Sequence, residues 1–164
     1  MINNILFIQT GGTIDKDYPQ VVNSYGFEIT TPAVKRILHY VYPGFRYQIV
    51  ELLKKDSLDL TSKDREMILQ TCLNAANKKI IITHGTDTMI KTAQRLSKIK
   101  NKIIILTGSL LPEKFTNSDA AFNIGTAVGA INILSCGVYI AMSGKIFPWQ
   151  KCQKSAKTAH FIRK

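Results

Sequence analysis

Lys79-Ile80-Ile81-Ile82-Thr83 is a run of three isoleucines with no polar residue inside it. A strand wetted on one side alternates apolar and polar residues. A run apolar on both faces belongs in the middle of a parallel sheet with helices over each side. The pattern recurs as Lys102-Ile103-Ile104-Ile105-Leu106, as Ile5-Leu6-Phe7-Ile8 and as Gly137-Val138-Tyr139-Ile140-Ala141-Met142. Tyr47-Gln48-Ile49-Val50-Glu51-Leu52 reads as one more strand. Helical stretches lie between these runs. Thr31-Pro32 offers a hydroxyl cap with proline at the first helical position, and the helix runs to about Tyr42, before Pro43-Gly44. Thr61 or Ser62 caps a second helix, to about Asn77, with Met67, Ile68, Cys72, Leu73 and Ala76 at helical spacing. A third runs to about Ile99, and a fourth, rich in small residues, from Ala120 to about Leu134. The alternation predicts an α/β fold: a doubly wound, mainly parallel sheet with helices on both faces, three layers in the Rossmann or flavodoxin-like manner. After Ser143-Gly144 the chain is basic and irregular.

The 164 residues are 45% hydrophobic, which suits one domain over residues 1–164 with a full core. No apolar run approaches the roughly 18 residues of a membrane span. Met1-Ile2-Asn3-Asn4 lacks a basic segment, and the apolar run behind it is short for a signal peptide, so a cytoplasmic location is expected. Cys72, Cys136 and Cys152 form no CxxC pattern, so neither a disulfide framework nor a zinc site is indicated; Cys72 and Cys136 are expected to pack as small hydrophobes. The net charge is +11 and the sequence pI about 9.7. A basic surface attracts polyanions without making a specific binder. No helix-turn-helix, RNP or zinc-knuckle pattern accompanies it, so neither a specific nucleic-acid partner nor a membrane is expected.

Three of the predicted strands end in hydroxyl- and glycine-bearing turns, at Thr10–Thr13, Thr83–Thr88 and Thr107–Ser109. In a parallel sheet those ends share one edge, where ligands bind. No metal-ligand set, GxGxxG or GxxxxGK[ST] is present, so no metal or cofactor is called for. His84 stands alone and reads as a structural hydrogen-bonder. A phosphate could sit on the amides after the first strand, but the usual lysine and acid of a nucleotide site are missing. Threonine catalysis fits better. A threonine hydroxyl needs a base to take its proton, and Thr86-Asp87 with a neighbouring lysine supplies hydroxyl, carboxylate and amine. Backbone amides of the turns at Gly12 and Gly85 suit an oxyanion. Those parts fit acyl transfer from an amide.

Thr10-Gly11-Gly12-Thr13-Ile14 and His84-Gly85-Thr86-Asp87-Thr88 resemble the two signature motifs of the asparaginase/glutaminase family. Thr107-Gly108-Ser109-Leu110-Leu111-Pro112 and Ser118-Asp119-Ala120-Ala121-Phe122-Asn123 are similar to that family's next two segments, in the same order. The resemblance covers about residues 4 to 155. It implies that Thr13 attacks the side-chain amide of L-asparagine, and that Thr86 and Asp87 form the second catalytic group. A lysine completes that group, with Lys154 the best match and Lys151 and Lys157 its rivals. It implies L-aspartate and ammonia as products, through an acyl-enzyme and without a cofactor. Ser57 resembles the serine that holds the substrate carboxylate, and Gly12 and Gly85 line the substrate. Long members carry glutamine after that serine, where this chain has Leu58. A loop tyrosine hydrogen-bonds the nucleophile in the family; Tyr18 is preferred and Tyr25 is the rival. The familiar members are two-domain chains about twice as long, and this sequence resembles the short ones. A site between subunits implies a homo-oligomer, dimer or tetramer. Two other readings remain open: an amino-acid-binding module without turnover, and a component of a tRNA-linked amidotransferase.

Overall fold

Ile80, Ile81, Ile82, Ile104 and Ile105 are fully buried, because helices cover both sides of the strands that carry them. The computed structural model describes residues 4–19 and 26–164. In chain order the elements are β1 (Asn4–Gly11), β2 (Lys16–Asp17), β3 (Glu28–Ile29), α1 (Ala33–Val41), β4 (Arg46–Lys55), α2 (Ser62–Asn74) and β5 (Lys79–Thr83). There follow α3 (Met89–Leu96), β6 (Ile103–Thr107), α4 (Ala120–Ala130), β7 (Gly137–Met142), β8 (Lys145–Pro148), β9 (Cys152–Lys154) and β10 (Phe161–Arg163). Short 3-10 turns lie at Thr13–Asp15, Ser57–Asp59 and Trp149–Lys151.

Among the described residues six strands form the main sheet, in the order β4-β1-β5-β6-β7-β8. The first five run parallel, and β8 is antiparallel to β7. Successive residues of each strand point to opposite faces. Leu6, Ile8, Ile80, Ile82, Ile104 and Leu106 pack with Ile68, Leu69 and Cys72 of α2 and Met89, Ala93 and Leu96 of α3. Ile5, Phe7, Ile81 and Ile105 pack with Val34, Ile37 and Leu38 of α1 and Ile124 and Ala127 of α4. The helix after β1 therefore covers one face, and the helix after β5 covers the other. Between those neighbouring strands the connections diverge, which opens a crevice beyond their carboxyl ends. No helix among the described residues is long and apolar enough to cross a membrane.

The structure corrects four expectations. The stretch after Ser143-Gly144 is regular: Met142 pairs with Lys145 across a two-residue hairpin, and β9 pairs with β10. Ser143 (φ 53°) and Gly144 (φ 74°) both take the left-handed conformation that such a hairpin requires, an unusual choice for serine. Thr31 does not cap α1. Pro32 occupies the cap position, Thr31 Oγ1 accepts from Arg36, and the Ala33 N–H donates to Asp15 Oδ1 at 2.7 Å. Cys136 is exposed, while Cys72 and Cys152 are buried. Met67, Leu73 and Ala76 lie exposed on the outer side of α2 and beyond its end, so Ile68, Leu69 and Cys72 carry its core contact. Thr61 does cap α2, in a reciprocal capping box with Asp64.

Lys102 is not part of the basic surface. It is buried, and its Nζ donates to Cys72 O at 2.7 Å, to Leu73 O at 3.3 Å and to Ala75 O, carbonyls the end of α2 leaves open. Lys102→Met should therefore cost about 2 kcal/mol, because it strands buried acceptors. Urea unfolding checks this, with the exposed Lys63→Met expected to stay within about 0.5 kcal/mol of the parent.

Candidate active site

Four chain segments meet at the crevice because two glycines let backbone touch backbone. Gly11 and Gly12 have φ of 106° and 87°, a region that side chains rarely tolerate. The Gly12 N–H donates to Lys55 O at 3.0 Å, which ties the turn to the end of β4. A β-carbon on Gly12 would stand 2.3 Å from Gly85 N and 2.4 Å from Gly85 Cα. One on Gly85 would stand 2.7 Å from Ser57 Cβ and 2.8 Å from its Oγ. The third turn joins from the other side, where the Glu113 N–H donates to Ile14 O at 3.2 Å. Thr13, half-buried, lies between Gly12, which abuts Gly85, and Ile14, which is tied to Glu113.

Lys154 closes the group. Its Nζ donates to Thr86 Oγ1 at 2.8 Å and to Asp87 Oδ1 at 2.5 Å. The antiparallel pairing of Lys154 with Phe161, whose ring is buried, fixes the lysine's backbone. Lys151 and Lys157 are exposed and make no ion pair among the described residues. A cavity of about 290 Å³ opens beside Asp87 and Lys154, walled also by Ser155, Ala156 and Ala159.

Beneath these groups the packing is polar and buried. Thr10 Oγ1 donates to Thr83 O at 2.8 Å and Thr107 Oγ1 to Ala141 O at 2.8 Å, so threonines tie neighbouring strand ends together. His84 is buried, with Nδ1 at 2.7 Å from Gly85 O and Nε2 at 2.8 Å from Thr92 Oγ1. Burial pushes its pKa down to about 4, so it stays neutral. Asp15 is buried two residues after Thr13. Burial raises its carboxyl to about 6, against the Ala33 N–H, Gln9, Arg36 and Thr83, which favour the ionised form. Ser57 is buried too, and is held through Thr88, whose hydroxyl donates to Ser57 O at 2.6 Å.

Not every expected residue joins the cluster. Tyr18 is exposed, with its ring 5.1 Å from that of Phe27 and beside a cavity of about 450 Å³ walled by Leu111, Lys114 and Phe115. Among the described residues its hydroxyl makes no hydrogen bond to Thr13. Tyr25 lies outside the described residues. Leu58 is exposed. Two residues of the matched segments hold the third turn in a way their types alone did not announce. The Asp119 carboxylate accepts from the Leu110 and Leu111 N–H groups, and Asn123 bridges Gly108 O to the Ser143 N–H. The one advance sign was a carboxylate and an amide four residues apart at a helix start.

A parallel sheet with its polar turns gathered where the connections diverge is the architecture of a three-layer α/β protein with a ligand site beyond the strand ends. Residues 4–161 match the family model described as "Asparaginase, N-terminal", and the chain belongs to the asparaginase family. It is 36% identical over 108 residues to an L-asparaginase of Thermococcus kodakarensis, covering 63% of this chain and 33% of that one. It is 46% identical over 152 residues to a subunit of the glutamyl-tRNA(Gln) amidotransferase of Methanococcus vannielii, covering 88% of this chain and 35% of the relative. The solved structure of the thermostable T. kodakarensis L-asparaginase superposes with a TM-score of 0.82 at 28% identity, over 98% of this chain and 51% of that one. The chain thus spans about a third to a half of the length of these relatives.

Two outcomes follow from the packing. Gly85→Ala should destabilise the fold by about 2 kcal/mol, because the Ser57 β-carbon cannot swing away. Adding Ser57→Gly should cost less than the sum of the two changes, a coupling that denaturant unfolding of the double-mutant cycle measures. The buried acid and base oppose each other in pH. Asp15, raised above its ordinary 3.8, folds best protonated; its contribution is complete below about 4 and lost as pH rises to about 6. His84, lowered from 6.5, folds best neutral; its contribution is complete above 6.5 and lost as pH falls towards 4. Asp15→Asn keeps the acceptor for Ala33 and removes the first slope. It should gain on the parent by up to roughly 3 kcal/mol at pH 7 and fall more steeply on acidification. Unfolding at a series of pH values reads both effects.

Proposed function

We propose that this site hydrolyses the side-chain amide of L-asparagine to L-aspartate and ammonia through a threonyl ester. The observation that carries this reading is the Lys154 ammonium shared between Thr86 Oγ1 and Asp87 Oδ1, on the turn that packs against Gly12. Thr13 Oγ1 attacks the amide carbon and its proton passes to the departing nitrogen, which leaves as ammonia. Amides of the Gly12 and Gly85 turns hold the oxyanion. Water, oriented by Thr86 and Asp87 with Lys154, then adds to the ester; the carbon–oxygen bond to Thr13 breaks and the hydroxyl regains a proton. Ser57 holds the substrate carboxylate. Leu58 offers no hydrogen bond to the α-amino group, so that contact comes from elsewhere, and a homo-oligomer is the arrangement that would supply it. Tyr18 takes part by leaving Phe27 once substrate is bound.

The 46% identity to an amidotransferase subunit favours a second reading, in which the same chemistry acts on L-glutamine and the ammonia is consumed by another protein. Ammonia release from L-asparagine and L-glutamine distinguishes the two. The parent should turn over L-asparagine at the higher kcat/KM. Thr13→Ala, Thr86→Ala and Lys154→Met should each lower kcat/KM about 100-fold or more, with unchanged circular dichroism. No turnover of either amide by folded protein would overturn both readings.

A further inference from the structure

A cavity of about 520 Å³, more voluminous than either cavity beside the candidate active site, lies between α2, α3 and the turn at Trp149. Its walls carry Arg65, Lys91, Arg95 and Lys98, with Gln94 and Trp149 between them. Two carboxylates stand near. Glu66 binds Arg95 and also feels Lys98, and Asp64 is engaged by Lys55 and by Thr61. Lys91 makes no ion pair among the described residues. The cavity therefore holds more positive charge than its carboxylates balance.

Arg65 is the built part of this wall. It is 5% exposed, and its guanidinium donates to Thr92 Oγ1 at 3.2 Å, Leu60 O at 2.6 Å, Thr61 O at 3.3 Å and Thr88 Oγ1 at 2.8 Å. All four acceptors are uncharged. They fix the fork and leave one of its five N–H groups open among the described residues. The neighbouring Asp64 carboxylate, itself shared with Lys55, acts on the Arg65 charge. An incoming anion therefore meets a cation that need not be ordered first, with Lys91 and Lys98 carrying the unbalanced charge. Trp149 is half-buried, packs against the core under α2 and α3, and lends an aromatic surface to the cavity. Fixed cations beside an aromatic face, in a cavity of small-molecule size, match a ligand with an anionic chain and a planar ring.

We propose that this cavity binds a nucleoside polyphosphate, its phosphates on Arg65, Lys91 and Lys98 and its base against Trp149. None of these residues belongs to the Thr13, Thr86, Asp87 and Lys154 group, so the proposal stands or falls independently of amide hydrolysis.

Trp149 is the single tryptophan of the chain, so its fluorescence lifetime reports on the cavity alone. ATP at low salt should shorten that lifetime saturably, and pyrophosphate should displace it. Adenosine should bind at least about tenfold more weakly than ATP. Lys91→Glu with Lys98→Glu should weaken ATP about tenfold or more. Lys145→Glu with Lys157→Glu makes the same change of charge outside the cavity and should leave ATP binding within about threefold. Circular dichroism confirms that each variant is folded. A lifetime that does not respond to ATP overturns the proposal, as does failure of pyrophosphate to compete. Equal weakening by the two charge pairs, or a response to a single-stranded RNA oligomer but not to ATP, also overturns it.

Discussion

The contact of the Gly12 backbone with the Gly85 backbone is the constraint on which the rest of the site depends. The first turn can approach Gly85 this closely only because Gly12 carries no β-carbon, and the second can approach Ser57 only because Gly85 carries none. Gly108 repeats the device: a β-carbon there would stand 2.3 Å from His84 O. Because these turns interlock, the residues that follow them are positioned by backbone rather than by flexible side chains. Thr13 follows Gly12, Thr86 follows Gly85 and Ser109 follows Gly108. The left-handed φ of Gly11 and Gly12 is the local cost of that arrangement, offset by the buried strands on either side.

Much of this was legible in the sequence, and the gaps have particular causes. The isoleucine runs announced a sheet covered on both faces because their lack of alternation leaves no side for water. The turns announced themselves through glycine and threonine at strand ends. The β7–β8 hairpin was hidden because Ser143 adopts a conformation that its type disfavours. The start of α1 was hidden because its cap, Asp15, sits 18 residues upstream and not beside the helix. Lys154 could be separated from Lys151 and Lys157 only by a family resemblance, since β9 and β10 fix its direction and both are three residues long. The membership of Tyr18 in the site was read from that resemblance as well, and its ring rests on Phe27.

Charge was the most deceptive feature of the composition. A net +11 suggests a uniformly basic exterior, yet several cations do internal work. Lys102 closes the end of α2, Arg65 joins α2 to the Thr88 turn, Lys55 holds Asp64, and Arg36 joins α1 to Glu113. Lysine and arginine are seldom buried without such partners, and the partners here are mainly carbonyl and hydroxyl oxygens that no sequence pattern advertises.

The position of β1 has a consequence in time. It is the first strand among the described residues, yet it lies between β4 and β5, pairing Asn4 with Arg46 and Ile5 with Lys79. As the chain leaves the ribosome, Ile5, Leu6, Phe7 and Ile8 have no partner on one edge until β4 has emerged, and none on the other until β5 has. Closing two long loops at once makes such a strand late to settle. An apolar strand thus waits for both of its neighbours, and the emerging chain is exposed to misassembly over the time it takes to make the stretch from β1 to β5.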